Sequence, residues 1–159
     1  MFRLIPAPLH RLGLRIAYRL RHRWRVWRKV ELAGVSVIVK DLRGQLLVVR
    51  HSYGPPVWGL PGGGVRKGED PEAAARRELL EEVGMTVERL KVIGTIEEMV
   101  SGSPHKGHLF EATVLDDAVP DCREVIEARF FPPHSLPEPL GAFTRTRLAY
   151  WRRVSNIKD

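Results

Sequence analysis

Residues 63–85, GGVRKGEDPEAAARRELLEEVGM, decide how this chain of 159 residues is read. Asp70 is a favoured N-cap and Pro71 suits the first helical position, so a helix is expected to start there. Gly84 is a natural stop just past a helix end, which sets the span at roughly residues 71–83. Glu78, Glu81 and Glu82 then crowd the C-terminal half of that helix, on one face, at i, i+3 and i+4. Like charges at this spacing repel, and carboxylates near a helix C-terminus oppose the macrodipole. A Glu-rich helix is ordinarily just a solvated face. Here the glutamates follow a Gly-rich loop, GLPGGGVRKGE (59–69), and a cation would relieve both conflicts. Hard carboxylate oxygens suit Mg²⁺ or Mn²⁺, and Mg²⁺ commonly bridges protein carboxylates to substrate phosphates.

The spacing extends the argument. Gly63 is followed after five residues by Glu69, and after seven more by Arg77, Glu78, Leu79, then Glu81, Glu82, Gly84 and Met85. This resembles the Nudix box, with every fixed position of the family pattern occupied. The resemblance implies an α/β/α sandwich around a mixed β-sheet, and hydrolysis of a diphosphate that joins a nucleoside to another group. It implies that Glu78, Glu81 and Glu82 bind Mg²⁺ or Mn²⁺, with the backbone carbonyl of Gly62 joining them. It also implies that Arg77 and Glu69 orient the box carboxylates; the alternative is a surface ion pair worth under ~1 kcal/mol. Glycines 62–64 leave room for backbone close to metal and substrate. For a general base, Glu81 is the first choice because it shares the metal-bearing face. Glu97, Glu98, Glu111, Glu124 and Glu127 are the other acids available.

The resulting expectation is a metal-dependent nucleotide pyrophosphohydrolase, with catalytic roles for Glu81, Arg77 and Glu69. The alternative is a non-catalytic Nudix-fold nucleotide-binding module, which has no evident need for three clustered carboxylates. Substrate specificity lies outside the box. Its candidates are the loop at His51, Ser52 and Tyr53, the segment Pro55–Trp58, and SGSPHKGH (101–108). Trp58 either stacks a base or packs beneath the loop. Nucleoside triphosphates, nucleoside diphosphate sugars and ADP-ribose all stay open as substrates.

The net charge of +7 is unevenly placed. Residues 1–30 hold nine basic side chains (Arg3, Arg11, Arg15, Arg19, Arg21, Arg23, Arg25, Arg28 and Lys29) and no Asp or Glu, so the remainder is slightly acidic. Residues 1–29 read as a basic arm and 30–159 as one domain of ordinary size. Leu9, Leu12, Ile16, Leu20, Trp24 and Trp27 form one helical stripe in the arm, beginning near residue 8 or 9 after Pro6 and Pro8. Three readings follow. The stripe packs on its own domain or on a second copy, it lies on an anionic membrane surface, or it contacts nucleic acid, which is the least favoured. Arginines interrupt any signal-peptide core, and the arm lacks the serines of a transit peptide. The single cysteine, Cys122, suggests a reducing interior, so the expected location is cytoplasmic, peripheral to a membrane if the arm binds one. Apolar runs such as Val35 to Val39 fall far short of a membrane span.

Beyond the arm, VSVIVKD (35–41) and QLLVVR (45–50) read as a hairpin with Gly44 in its turn. RLKVIGTIEEMV (89–100), HLFEATVL (108–115) and EVIEARFFP (124–132) read as further strands, with SGSPHKG (101–107) as a polar loop. FTRTRLAYWRRVS (143–155) reads as a closing helix with Phe143, Leu148 and Trp151 facing inward. Strands before, between and after two helices indicate a mixed α/β domain.

Overall fold

The computed structural model describes residues 6, 8–17, 32–100 and 102–156. Residues 8–17 are helical and are termed α1. The elements that follow are β1 (Leu32–Lys40), β2 (Leu46–His51), β3 (Trp58–Gly59), β4 (Gly62–Gly64), α2 (Pro71–Val83), β5 (Lys91–Val100), β6 (Ser103–Thr113), β7 (Val125–Phe131) and α3 (Ala142–Asn156). The strands join in one sheet of order β3-β2-β1-β6-β5, with β4 added beside β1 and β7 beside β2. β1 and β6 run parallel while the other pairs are antiparallel, so the sheet is mixed as expected.

Period-two alternation in β1 sorts the core into two layers. Val35, Val37 and Val39 point to one face and pack with Leu47, Val49, Phe110 and the inner side of α2, namely Ala74, Ala75, Leu79 and Val83. Ile38 points to the other face, where Leu46, Leu60 and Leu109 meet Leu148 of α3. The domain is therefore an α/β/α sandwich. Burying one Val or Leu fully is worth about 1.5–3 kcal/mol. The repulsion among helix carboxylates costs only a few tenths of a kcal/mol per pair. The apolar face of α2 therefore decides its position, and its other face can tolerate clustered charge.

Local signals place the helix ends as expected. The Asp70 carboxylate accepts the backbone N–H groups of Glu72 and Ala73, and Pro71 opens the helix. Gly84 ends it in the left-handed conformation, φ 66°, with N–H groups returned to the carbonyls of Leu79 and Leu80. The hairpin turn between β1 and β2 is tied by Asp41, whose carboxylate accepts the N–H groups of Arg43 and Gln45.

Two expectations need correction. The polar loop read over 101–107 is largely strand: β6 begins at Ser103, which pairs with Val100 around a turn at Gly102. Ser103, His105 and Gly107 lack an apolar alternation because their face holds charged groups instead of aliphatic core. For the same reason Phe143 is exposed, whereas Thr144 and Arg147 are buried beside Leu148, with Trp151 half-buried in the same layer. The part of the arm's stripe that lies within the described residues does not pack on the domain, which was one of the readings left open for it. Leu9, Leu12 and Ile16 are exposed, while His10, Arg11, Leu14 and Ala17 are the half-buried side of α1. Leu20, Trp24, Trp27 and the arm's basic residues Arg3, Arg19, Arg21, Arg23, Arg25, Arg28 and Lys29 lie outside the described residues. Among the described residues no helix is long and apolar enough to cross a membrane.

Candidate active site

β4 brings the Gly-rich loop against the carboxylates of α2. It pairs antiparallel with β1 through Gly34–Gly64, Val35–Gly63 and Ser36–Gly62. Gly62 sits at φ 147°, and a Cβ there would come within 2.1 Å of the Val35 carbonyl oxygen, so only glycine fits. A Cβ on Gly63 would lie 2.6 Å from the Glu78 carboxyl carbon, which shows how closely the loop backbone approaches that acid.

Arg77 is the hub of the site. Its Nε and Nη2 donate to the two oxygens of Glu69 at 2.8 and 3.0 Å, a bidentate fork. Nη1 donates to Glu78 at 2.6 Å and to Glu81 at 3.3 Å, and Nη2 also reaches the Gly64 carbonyl at 3.0 Å. One guanidinium thus ties the loop, Glu69 and two box glutamates together. The Glu69 carboxyl is held down to about 2 by the hydrogen bonds from Arg77 and by the backbone N–H of Arg66. Arg77 is correspondingly raised by Glu69, against its burial, with Glu78 adding to the effect. Glu78 itself is raised: burial dominates, Arg77 opposes it, and the negative charges of Glu82 and Glu81 add to it.

Glu82 is 2% exposed. Its Oε2 accepts the Gly62 N–H at 3.0 Å and its Oε1 lies 2.7 Å from His51 Nε2. His51 is raised, because its hydrogen bond with Glu82 and the charges of Glu82, Glu124 and Glu78 outweigh the opposing effect of burial. Glu124 is raised by burial, then by Asp121 and Glu82. Sequence reasoning named His51 and Glu124 separately. Nothing in their spacing could have shown this, because the His51–Glu82 contact joins the end of β2 to α2, and Glu124 is brought to the end of β2 by its pairing with β7, His51 opposite Val125.

The predicted site residues therefore sort clearly. Glu69, Arg77, Glu78 and Glu81 form one connected set, and Glu82 joins the loop through Gly62. Glu81 is the most open of the three box glutamates. The other acids considered as a base are engaged elsewhere: Glu98 with Arg147, Glu111 with Lys40 and Trp151, Glu127 with Arg50. Glu97 is exposed. Trp58 is no stacking platform. It is buried, packs edge-on to Phe131 at 5.7 Å between centroids, and lies under Arg50.

The donor chemistry fits a hard divalent cation: oxygen donors, a Glu78 raised by burial and further by the charges of Glu82 and Glu81, and a loop backbone within contact of the carboxylates. The oxygens are at present directed to Arg77, His51 and Gly62 N–H, and among the described residues no three His, Cys, Asp or Glu side chains are gathered as a closed metal site.

The structure is thus an α/β/α sandwich that sets an arginine-organised carboxylate cluster against a glycine strand. Residues 31–151 match the NUDIX domain family, and the chain belongs to that family. A 51-residue stretch is 47% identical to an RNA pyrophosphohydrolase of Rhodospirillum rubrum, covering 32% of this chain and 31% of that protein. A 109-residue stretch is 34% identical to a CMP-5'-(N-acetyl-N-hydroxy-3-aminopropyl)phosphonate hydrolase of Streptomyces rubellomurinus, covering 65% of this chain and 53% of that one. The chain thus spans about a third to a half of the length of these relatives. Among solved structures, a MutT Nudix hydrolase from Burkholderia pseudomallei superposes with a TM-score of 0.69 at 24% identity, over 76% of this chain and 98% of that one. The Nudix domain of Shewanella oneidensis NrtR, complexed with ADP ribose, does so at 0.69 and 18% identity, over 78% and 88%. At these identities the structures speak for the fold alone.

Proposed function

We propose that the chain is a metal-dependent hydrolase that cleaves the diphosphate linkage of a nucleoside diphosphate derivative. The observation that carries the reading is the Arg77 hub, which ties Glu69, ahead of α2, to Glu78 and Glu81 on α2, while the Gly62 N–H of the glycine loop binds Glu82. Glu78, Glu81 and Glu82, with the Gly62 carbonyl, would hold Mg²⁺ or Mn²⁺. Such a cation, when bound, neutralises phosphate charge and lowers the pKa of a bound water. The chain's own residues do the rest. Arg77, fixed by Glu69, keeps Glu78 and Glu81 oriented. Glycines 62 and 63 let a phosphate approach the backbone. Glu81, the open carboxylate, takes the proton of the attacking water as the phosphate leaving group departs from the opposite side of phosphorus.

Glu82→Gln tests this directly. It keeps the shape and can still accept the Gly62 N–H, but removes a charge. Against a panel of nucleoside triphosphates, nucleoside diphosphate sugars and ADP-ribose with Mg²⁺ and Mn²⁺, wild-type turnover should fall by about 100-fold or more in the variant. Full activity in Glu82→Gln overturns the assignment. Thermal stabilisation by these nucleotides without any product, in the wild-type protein, would instead make the domain a binding module.

For the arm, we propose that α1 and the residues around it place the protein on an anionic membrane surface. What supports this is that Leu9, Leu12 and Ile16 are exposed although α1 is already docked through its other side. Docking two arms on each other would bring two strongly basic segments together, whereas anionic lipid attracts each basic residue by about 1 kcal/mol near the surface. Full-length protein should sediment with anionic liposomes at low salt, and protein lacking residues 1–29 should not. No sedimentation of the full-length chain ends the idea. Loss of an oligomer on truncation would favour packing between copies.

A further inference from the structure

The helix α1 reaches the domain at the junction where β2 ends and the chain turns into β7, and it holds both sides of that junction. Arg15 Nε donates to the Ser52 carbonyl at 3.0 Å. Arg11 donates twice to the Cys122 carbonyl, through Nη2 at 2.6 Å and Nε at 3.1 Å.

Both anchors sit in tightly bonded backbone. Ser52 is buried, its N–H donates to the Glu124 carbonyl at 2.8 Å, and its hydroxyl donates to the Arg123 carbonyl at 2.6 Å. With Arg15 on its carbonyl, each polar group of this residue is engaged. On the other side, the Asp121 carboxylate accepts the N–H groups of Arg123, Glu124 and Val125, and the Cys122 N–H returns to the Val125 carbonyl at 3.0 Å. Cys122 stands at φ 59°, a conformation that residues other than glycine seldom hold without such support.

From each anchor one step along the chain leads to the same residue. Ser52 adjoins His51, whose Nε2 lies 2.7 Å from Glu82 Oε1. Cys122 adjoins Asp121, whose N–H donates to the backbone carbonyl of Glu82 at 3.1 Å. Val119 donates likewise to the next carbonyl, that of Val83, at 3.0 Å. These are end carbonyls of α2, which have no partner within the helix. Arg15 therefore bears on the carboxylate of Glu82, and Arg11 bears on its main chain. The two paths close a ring with α1 on one side and Glu82 on the other.

A carboxylate offers about four lone-pair sites. His51 and the Gly62 N–H each take one, on different oxygens, so both oxygens of Glu82 keep a site for a cation. A metal ligand whose orientation is already fixed by its outer partners binds more tightly than one that must first be ordered.

We infer that Arg11 and Arg15 are positioning residues for Glu82: docked α1 sets the β2–β7 junction, and the junction holds this glutamate ready for a divalent cation. The cation part rests on the hydrolase reading. The coupling of α1 to His51 and Glu82 does not.

The test compares full-length protein carrying isotope-labelled histidine with Arg11→Ala/Arg15→Ala, the His51 signal being assigned with His51→Gln. A control, Arg43→Ala/Arg89→Ala, removes the same charge from exposed positions outside α1. Mn²⁺ binding is followed in parallel through the paramagnetic resonance of the free ion, without nucleotide. The α1 variant should shift the His51 ring resonances and bind Mn²⁺ about tenfold more weakly, the lower end of what partners of a metal ligand are worth. Arg11→Lys/Arg15→Lys can still donate to both carbonyls and should recover most of both effects, while the control should match wild type. A purely structural role for α1 would lower the urea midpoint but leave the His51 signal and the Mn²⁺ affinity in place, and that result overturns the inference. So does a control that changes as much as the α1 variant. Should the double variant fail to fold, Arg11→Ala and Arg15→Ala are read singly by the same criteria. Unchanged Mn²⁺ affinity in Glu82→Gln would overturn the metal reading instead, and the His51 signal then decides the inference alone.

Discussion

His51 Nε2 lies 2.7 Å from Glu82 Oε1, and this contact joins the end of β2 to the last turn of α2. With the Gly62 N–H on its other oxygen, Glu82 is a buried carboxylate with both ends satisfied. His51→Ala removes one of those partners, and leaving a buried acceptor unpaired costs about 1–3 kcal/mol. Urea unfolding should show a loss of that size, with His51→Gln recovering part of it through its amide donor. Equal stability of His51→Ala and wild type would mean that the contact carries no weight.

Two neighbouring glycines offer a matched comparison. In Gly63→Ala the new methyl meets the Glu78 carboxylate at 2.6 Å, whereas around Gly64 nothing lies within 4 Å. Gly63→Ala should therefore lose most turnover by displacing Glu78, while Gly64→Ala stays within a few-fold of wild type. Similar activities in the two variants would separate Glu78 from the chemistry.

Arg77 contributes a fork, and lysine cannot supply one. Arg77→Lys should lower kcat by about 10–100-fold, the usual cost of losing a group that orients metal-binding residues, with a smaller effect on KM. Initial rates over a range of substrate concentrations separate the two.

Glu69 gives the acid limb of stability a defined shape. Its folded pKa, about 2, lies below the ordinary carboxyl value of 4.5, so its contribution is complete above 4.5 and is lost as pH falls toward 2. Glu69→Gln should be less stable than wild type near neutrality, and the difference should shrink through that window. Denaturant midpoints measured from pH 6 to pH 2 would show it. A difference independent of pH would refute the charge-based account.

Much of this was legible in the chain because local chemistry settles it. Asp70, Pro71 and Gly84 each act on the backbone within a turn of themselves, so the ends of α2 follow from three residues. Alternation in β1 likewise announces both faces of the sheet. What could not be read is what depends on distant strands meeting. β3 and β4 have two and three residues, too few for any period to show. The polar face of β6 gave no strand signal, because its partners are Glu98 on another strand and Arg147 on a helix forty residues further on. The direction of the arm's apolar stripe could not be read from the sequence and was left open; among the described residues Arg11 and Arg15 make contacts with the domain, while Leu9, Leu12 and Ile16 are exposed.

Those contacts have a practical consequence. Arg11 donates twice to the carbonyl of Cys122, at 3.1 and 2.6 Å, and Cys122 is an exposed residue held at a positive φ of 59°. It is also the chain's one cysteine. A thiol-reactive dye would therefore label a single position, without any engineering, on the very residue that α1 grips. Its emission would report arm release in real time, so that liposomes, nucleotides and salt could each be asked whether they loosen the arm from the body.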